Sequence, residues 1–88
     1  MIHKSKVENY NGSLKELAED IGDLKYDALA DFFKLLQEKL QRDGQKDGSR
    51  GREKLARCLL TSSESLNVAI EEIEKAWVIC EPFMKDYS

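Results

Sequence analysis

The sequence predicts an all-α protein built on an antiparallel helical hairpin, and three observations support this prediction. Apolar residues recur at spacings of three and four over two long stretches, which is the periodicity of an amphipathic helix. A glycine-rich polar segment separates the two stretches, and no strand-like alternation of four or more residues occurs outside them. The chain of 88 residues, 41% hydrophobic and 35% charged, suits a single globular domain that does not cross a membrane.

The first helix is expected to follow an arm without hydrophobic periodicity, residues 1–12, which we predict to be flexible. Ser13 and Glu16 form a capping-box pattern, in which each side chain satisfies a free backbone N–H at the start of a helix. Gly22 interrupts the apolar pattern without changing its phase. The helix therefore either continues to about residue 42 or restarts at Asp23, a favourable N-cap. The apolar positions are Leu14, Leu17, Ile21, Leu24, Ala28, Phe32 and Leu35, with Leu29, Phe33, Leu36 and Leu40 in the second half.

A turn is predicted at residues 43–51, because this segment contains three glycines and no apolar side chain. A second long helix follows it. Thr61 and Glu64 form another capping-box pattern, so this helix either breaks near residue 60 or continues, and Pro82 ends or kinks it near residue 81. Its apolar seam, spaced alternately by four and three, consists of Leu55, Leu59, Ser62, Leu66, Ala69, Ile73, Ala76, Cys80 and Phe83.

The predicted helical domain spans residues 13–82, with a C-terminal tail at residues 83–88. Its helices are apolar on more than one side, since residues 76–80 are apolar around a full helical turn and the segment that begins with Phe32 and Phe33 is apolar around nearly a full turn. Such a surface needs cover on two sides. We expect a homodimeric four-helix bundle made from two hairpins; the alternative is a monomeric bundle divided into three or four helices at Gly22 and Thr61. The residues expected to contact a partner helix are Phe32, Phe33, Leu36, Ile73, Trp77 and Phe83.

Charge is distributed unevenly along the chain, although the net charge is only −3. Residues 34–57 carry eight bases and four acids, residues 8–31 carry seven acids and two bases, and residues 58–88 carry six acids and two bases. The bases around the turn suit contact with a phosphate or an acidic protein, or they simply make the turn soluble. A nucleic-acid partner is disfavoured by the acidic total and by the lack of aromatic residues among the bases. The six bases are Arg42, Lys46, Arg50, Arg52, Lys54 and Arg57.

No pattern in the sequence indicates catalysis or a metal site. Residues 43–54 match a calcium-binding loop in part, but Lys54 stands where a bidentate glutamate is needed and Arg50 where an apolar residue is usual. The single histidine, His3, lies outside the helices, which excludes the ordinary carboxylate–histidine metal bundle. No cysteine or serine has the sequence context of a nucleophile. We therefore predict a protein without catalytic residues, metal or cofactor.

Cys58 and Cys80 are predicted to be free thiols of a cytoplasmic protein. On one continuous helix, 22 residues would place them about 33 Å apart, far beyond disulfide distance. The sequence shows neither a signal-peptide pattern nor an apolar run near the roughly 20 residues of a membrane span, so we expect no membrane contact. The function that these features favour is a small protein–protein interaction or regulatory module that binds its own copy or another helical protein. The alternative is a regulator associated with nucleic acid or a phosphate-bearing ligand through the bases of residues 42–57.

Overall fold

The computed structural model describes residues 3–87, and all regular secondary structure in that range is helical. Helix α1 spans Leu14–Gly22, α2 spans Tyr26–Ser49 and α3 spans Glu53–Cys80. A short 3₁₀ helix, Glu81–Tyr87, follows α3. The all-α prediction is therefore confirmed for this part of the chain.

Helix α1 begins as the sequence predicts. The Glu16 backbone N–H donates to Ser13 Oγ, and the Ser13 N–H donates to Glu16 Oε1, each over 3.1 Å. The Tyr10 hydroxyl donates to the Asp20 carboxylate, which connects the preceding arm to α1. None of the residues of α1 is buried, and α1 does not pack extensively on α2 or α3.

The helix is interrupted after Gly22, which is one of the two sites at which the sequence allows an interruption. Helix α2, however, is not capped by Asp23: its N-cap residue is Lys25. The Asp23 backbone N–H instead donates to the carbonyls of Glu19 and Ile21, so that Asp23 caps the C-terminus of α1. Asp23 follows α1 directly, and its backbone is therefore already committed to the preceding helix.

Helix α3 is continuous through Thr61, and the break that the sequence leaves open there is absent. The polar residues around Thr61 find partners without a break: Ser62 Oγ donates to the Cys58 carbonyl oxygen one turn earlier, at 2.9 Å. A hydroxyl that bonds backward in this way leaves the backbone ladder of the helix intact. The helix ends two residues before Pro82, as the missing backbone donor of proline requires.

The turn predicted at residues 43–51 is wrong for its first seven residues, which extend α2. Gly44 and Gly48 lie on the side of α2 that contacts α3: a Cβ added to Gly44 would lie 3.0 Å from Leu60 Cδ2, and one added to Gly48 would lie 3.6 Å from Ala56 Cβ. Glycine costs a helix about 1 kcal/mol relative to alanine. Here the absence of a Cβ permits close packing on α3, which offsets that cost.

The chain reverses over only three residues after α2, and Gly51 makes this reversal feasible. The Gly51 N–H donates to the Gly48 carbonyl at 3.1 Å, and the Arg52 N–H donates to the Asp47 carbonyl at 2.8 Å. These two bonds define a Schellman motif, whose residue after the C-cap has left-handed backbone geometry. Gly51 has a φ of 78°, which is strained for any residue with a Cβ.

We expect Gly51→Ala to lower the free energy of unfolding by about 1–2 kcal/mol, the cost of holding an L-residue in the left-handed region. The measurement is urea denaturation followed by circular dichroism at a fixed protein concentration. Gly22→Ala is the control, since nothing lies within 4 Å of a Cβ added there and its φ is not positive. Equal stability of the wild type and Gly51→Ala would contradict the importance of this motif.

Helices α2 and α3 lie side by side in opposite directions, and the residues that face each other, except Ile70, are small or polar. Gln37 Nε2 donates to Ser63 Oγ at 2.7 Å, and Ser63 Oγ in turn donates to the backbone carbonyl oxygen of Gln37 at 3.3 Å. We call this two-helix layer the α2–α3 pair. The facing residues recur every seven positions: Ala30, Gln37 and Gly44 on α2, and Ala56, Ser63 and Ile70 on α3.

Candidate interaction surface

The contact between α2 and α3 buries little apolar side-chain volume. Among the described residues, no large side chain is fully buried, and Ile70 is the largest of the buried apolar residues. The remaining buried residues are Ala30, Gly44, Ala56 and Ser63. Because most of the facing positions hold small side chains, most leucines and phenylalanines of both helices lie beside the contact rather than in it.

The two sides of the α2–α3 pair differ in polarity. Lys34 and Glu74 each follow a facing residue by four positions, and their side chains form a 3.1 Å ion pair, so these positions of both helices lie on one side. Residues three positions after the facing residues, such as Phe33 and Ile73, are turned the opposite way around each helix. They therefore lie together on the other side of the pair.

We name this second side the apolar face. Phe32, Leu36 and Leu55 of this face are 37%, 39% and 48% exposed, and the other members are half-buried along the edge of the α2–α3 contact. None of its side chains is charged. The face consists of Leu29, Phe32, Phe33, Leu36 and Leu40 of α2 and of Leu55, Leu59, Leu66 and Ile73 of α3.

The structure brings four of the six predicted partner-helix residues together on this face: Phe32, Phe33, Leu36 and Ile73. The ring centroids of Phe32 and Phe33 lie 6.1 Å apart. Trp77 follows Ile70 by seven positions and so belongs to the line of α3 that faces α2, where it is half-buried. Phe83 lies in the 3₁₀ helix that follows α3 and is 70% exposed.

The apolar seam predicted for α3 is not the side of α3 that α2 covers. Ala56, Ser63 and Ile70 are buried against α2, whereas the predicted seam positions Leu55 and Leu59 lie beside that line, toward the apolar face. Leu40, Leu59 and Leu66 of the apolar face were not among the predicted partner contacts. In the sequence, each of these leucines lies three residues after one of the facing residues that recur every seven positions.

The six bases around the turn are all exposed, but nearby acids offset part of their charge. Arg52 Nη1 lies 3.1 Å from Asp47 Oδ1. The hydrogen bond from Lys39 holds the pKa of the Asp43 carboxyl below its ordinary value, and the positive charges of Lys46 and Arg42 contribute to this shift. Asp43 therefore remains ionised in the middle of the basic segment.

Within the described residues, no group of three or more histidine, cysteine, aspartate and glutamate side chains is arranged to hold a metal ion. No helix in residues 3–87 combines the length and apolar character that a membrane crossing requires. Comparison of the chain with family models, curated proteins and solved structures finds no match.

Proposed function

We propose that this chain is a non-catalytic protein interaction module that self-associates, two helical hairpins forming one bundle. The observation that carries the proposal is the apolar face: nine uncharged apolar side chains line one side of a layer in which the facing residues are mostly small. A surface of this kind is typical of helices that pack on another helical layer. Stacking a second layer on this face would place the predicted α3 seam inside a core.

The dimensions of the chain support the proposal. The backbone extends over 52 × 30 × 14 Å, so its shortest dimension is less than half of either of the other two and the molecule is flat. Its accessible surface is 7237 Å², whereas a compact monomer of this mass exposes about 5,300 Å². This excess of roughly 1,900 Å² is shared between the α2–α3 pair and α1, none of whose residues is buried, and it exceeds the approximately 800 Å² per partner that a specific interface of standard size buries.

Sedimentation equilibrium at micromolar concentration tests the proposal. We expect a species with twice the chain mass of 10.1 kDa, because the apolar face can be covered by an identical face of a second copy. A single species of 10.1 kDa across the concentration range would refute self-association.

The exposed bases around the turn support a second candidate, a regulator that binds nucleic acid or another phosphate-bearing ligand. We expect no measurable binding of a fluorescent single-stranded oligonucleotide at physiological ionic strength, because the net charge is −3 and Asp47 already pairs with Arg52. The probe is titrated against the wild type and the double variant Lys46→Glu and Arg50→Glu. Binding that weakens with salt and is lost in the variant would support this second candidate instead.

A further inference from the structure

We infer that the apolar face is occupied by a second copy of this chain in head-to-tail orientation, with the turn of one copy over the open end of the other. The open end is the end of the α2–α3 pair at which α2 begins and α3 finishes. This inference rests on the proposed self-association and specifies its geometry.

The net charges of the two ends favour this orientation. The turn end, residues 42–58, carries six bases and three acids, whereas the open end, residues 23–31 and 71–81, carries seven acids and two bases. Helices α2 and α3 have 24 and 28 residues, hence lengths of about 36 and 42 Å, several times the Debye length of about 8 Å. The two ends therefore interact separately. Head-to-tail stacking places opposite net charges at the same end of the dimer and the parallel arrangement places like net charges there, with side chains such as Glu74 on the side of each layer away from the interface.

Symmetry then determines which helices meet. When a two-helix layer stacks on its own copy, the two-fold axis lies between the layers and runs either along the helices or across them. An axis across the helices produces the head-to-tail dimer and stacks α3 antiparallel on α3 of the partner subunit. An axis along the helices produces the parallel dimer and stacks α3 on α2 of the partner subunit.

The composition of α3 suits antiparallel stacking on itself. Ser62, Ala69 and Ala76 recur at seven-residue intervals, beside Leu66 and Ile73 of the apolar face. Small side chains at this spacing allow two helices to approach closely. With the two-fold axis at Ala69, which lies near the middle of α3, Ser62 meets Ala76 of the partner subunit because both are seven residues from the axis.

The two native cysteines report the orientation. Both are free; Cys58 is exposed near the turn and Cys80 is half-buried at the open end. Their separation of 22 residues corresponds to about 33 Å along α3 and about 40° around it, so they lie toward the same side of the helix. Each is eleven residues from Ala69. The head-to-tail dimer therefore places Cys58 close to Cys80 of the partner subunit, whereas the parallel dimer places each cysteine level with its own copy.

The test is cross-linking of the native cysteines with a short bismaleimide, applied to the wild type, Cys58→Ser and Cys80→Ser. We expect the wild type to form a covalent dimer and each single variant to lose at least about nine-tenths of it. Sedimentation equilibrium on each unreacted protein shows whether the variant still self-associates, and cross-linking in denaturing urea measures random collisions. The urea reaction supplies the background that is subtracted from every yield.

Each outcome has one meaning. Cross-linking that persists in both single variants would overturn the head-to-tail orientation in favour of the parallel dimer and leave the proposed self-association intact. A dimer by sedimentation that does not cross-link in the wild type would also overturn this orientation. Wild-type protein that sediments as a monomer would refute the proposed function itself.

Discussion

Leu36→Glu is expected to weaken self-association about a thousandfold. Leu36 lies on the apolar face and is 39% exposed in the single chain, so a monomer accommodates the glutamate in water. In the dimer, the carboxylate would be buried against the partner at two symmetry-related positions. A cost of about 2 kcal/mol at each position corresponds to roughly a thousandfold in the dissociation constant. Sedimentation equilibrium over a range of concentrations measures this change.

Leu35→Glu is the matched control for this experiment. Leu35 is the preceding residue and receives the same substitution, but it is turned 100° around α2 and is 65% exposed. We expect its dissociation constant to stay within about threefold of the wild type, since an exposed substitution changes little. Equal weakening by the two variants would show that the apolar face is not the interface.

Gly44→Leu is expected to lower the free energy of unfolding by about 2 kcal/mol, within the range that overpacking costs. A Cβ at this position would lie 3.0 Å from Leu60 Cγ and 3.3 Å from the Ala56 carbonyl oxygen. The rest of a leucine side chain has no space there unless α2 and α3 move apart. Urea denaturation at a fixed protein concentration, followed by circular dichroism, measures the effect.

Gly48→Ala is the control one turn later on the same side of α2. Its Cβ would make an ordinary contact of 3.6 Å with Ala56 Cβ, and alanine is favoured over glycine in a helix by about 1 kcal/mol. We therefore expect Gly48→Ala to be as stable as the wild type or more stable. If Gly44→Leu were also as stable as the wild type, close approach of α2 and α3 at Gly44 would not be required.

Helix boundaries that depend on neighbouring residues could be predicted from the sequence. The capping box at Ser13 and the end of α3 before Pro82 rest on backbone hydrogen bonds made or lost within one turn. The break after Gly22 could also be predicted in this way, but the residue that caps α2 could not. Asp23 has the side chain of an N-cap, but its backbone caps the preceding helix.

The candidate site was predictable in part for a related reason. Phe32, Phe33, Leu36 and Ile73 could be recognised as apolar positions in excess of one helix stripe. Hydrophobic periodicity does not show which stripe of α3 packs on α2, because α3 has apolar or small residues along two neighbouring stripes. The small line containing Ala56 and Ser63 is the one that α2 contacts.

By itself, the sequence determined that the chain is helical, where the first helix begins and where the last α-helix ends, because these properties depend on local periodicity and local hydrogen bonds. The tertiary structure decided that Gly44 and Gly48 belong to a helix and that the leucine-rich line of α3 remains on an open face. Both outcomes have one physical cause. Two antiparallel helices pack most closely where their side chains are smallest, so the glycines and small residues are drawn into the contact and the large apolar side chains are left beside it.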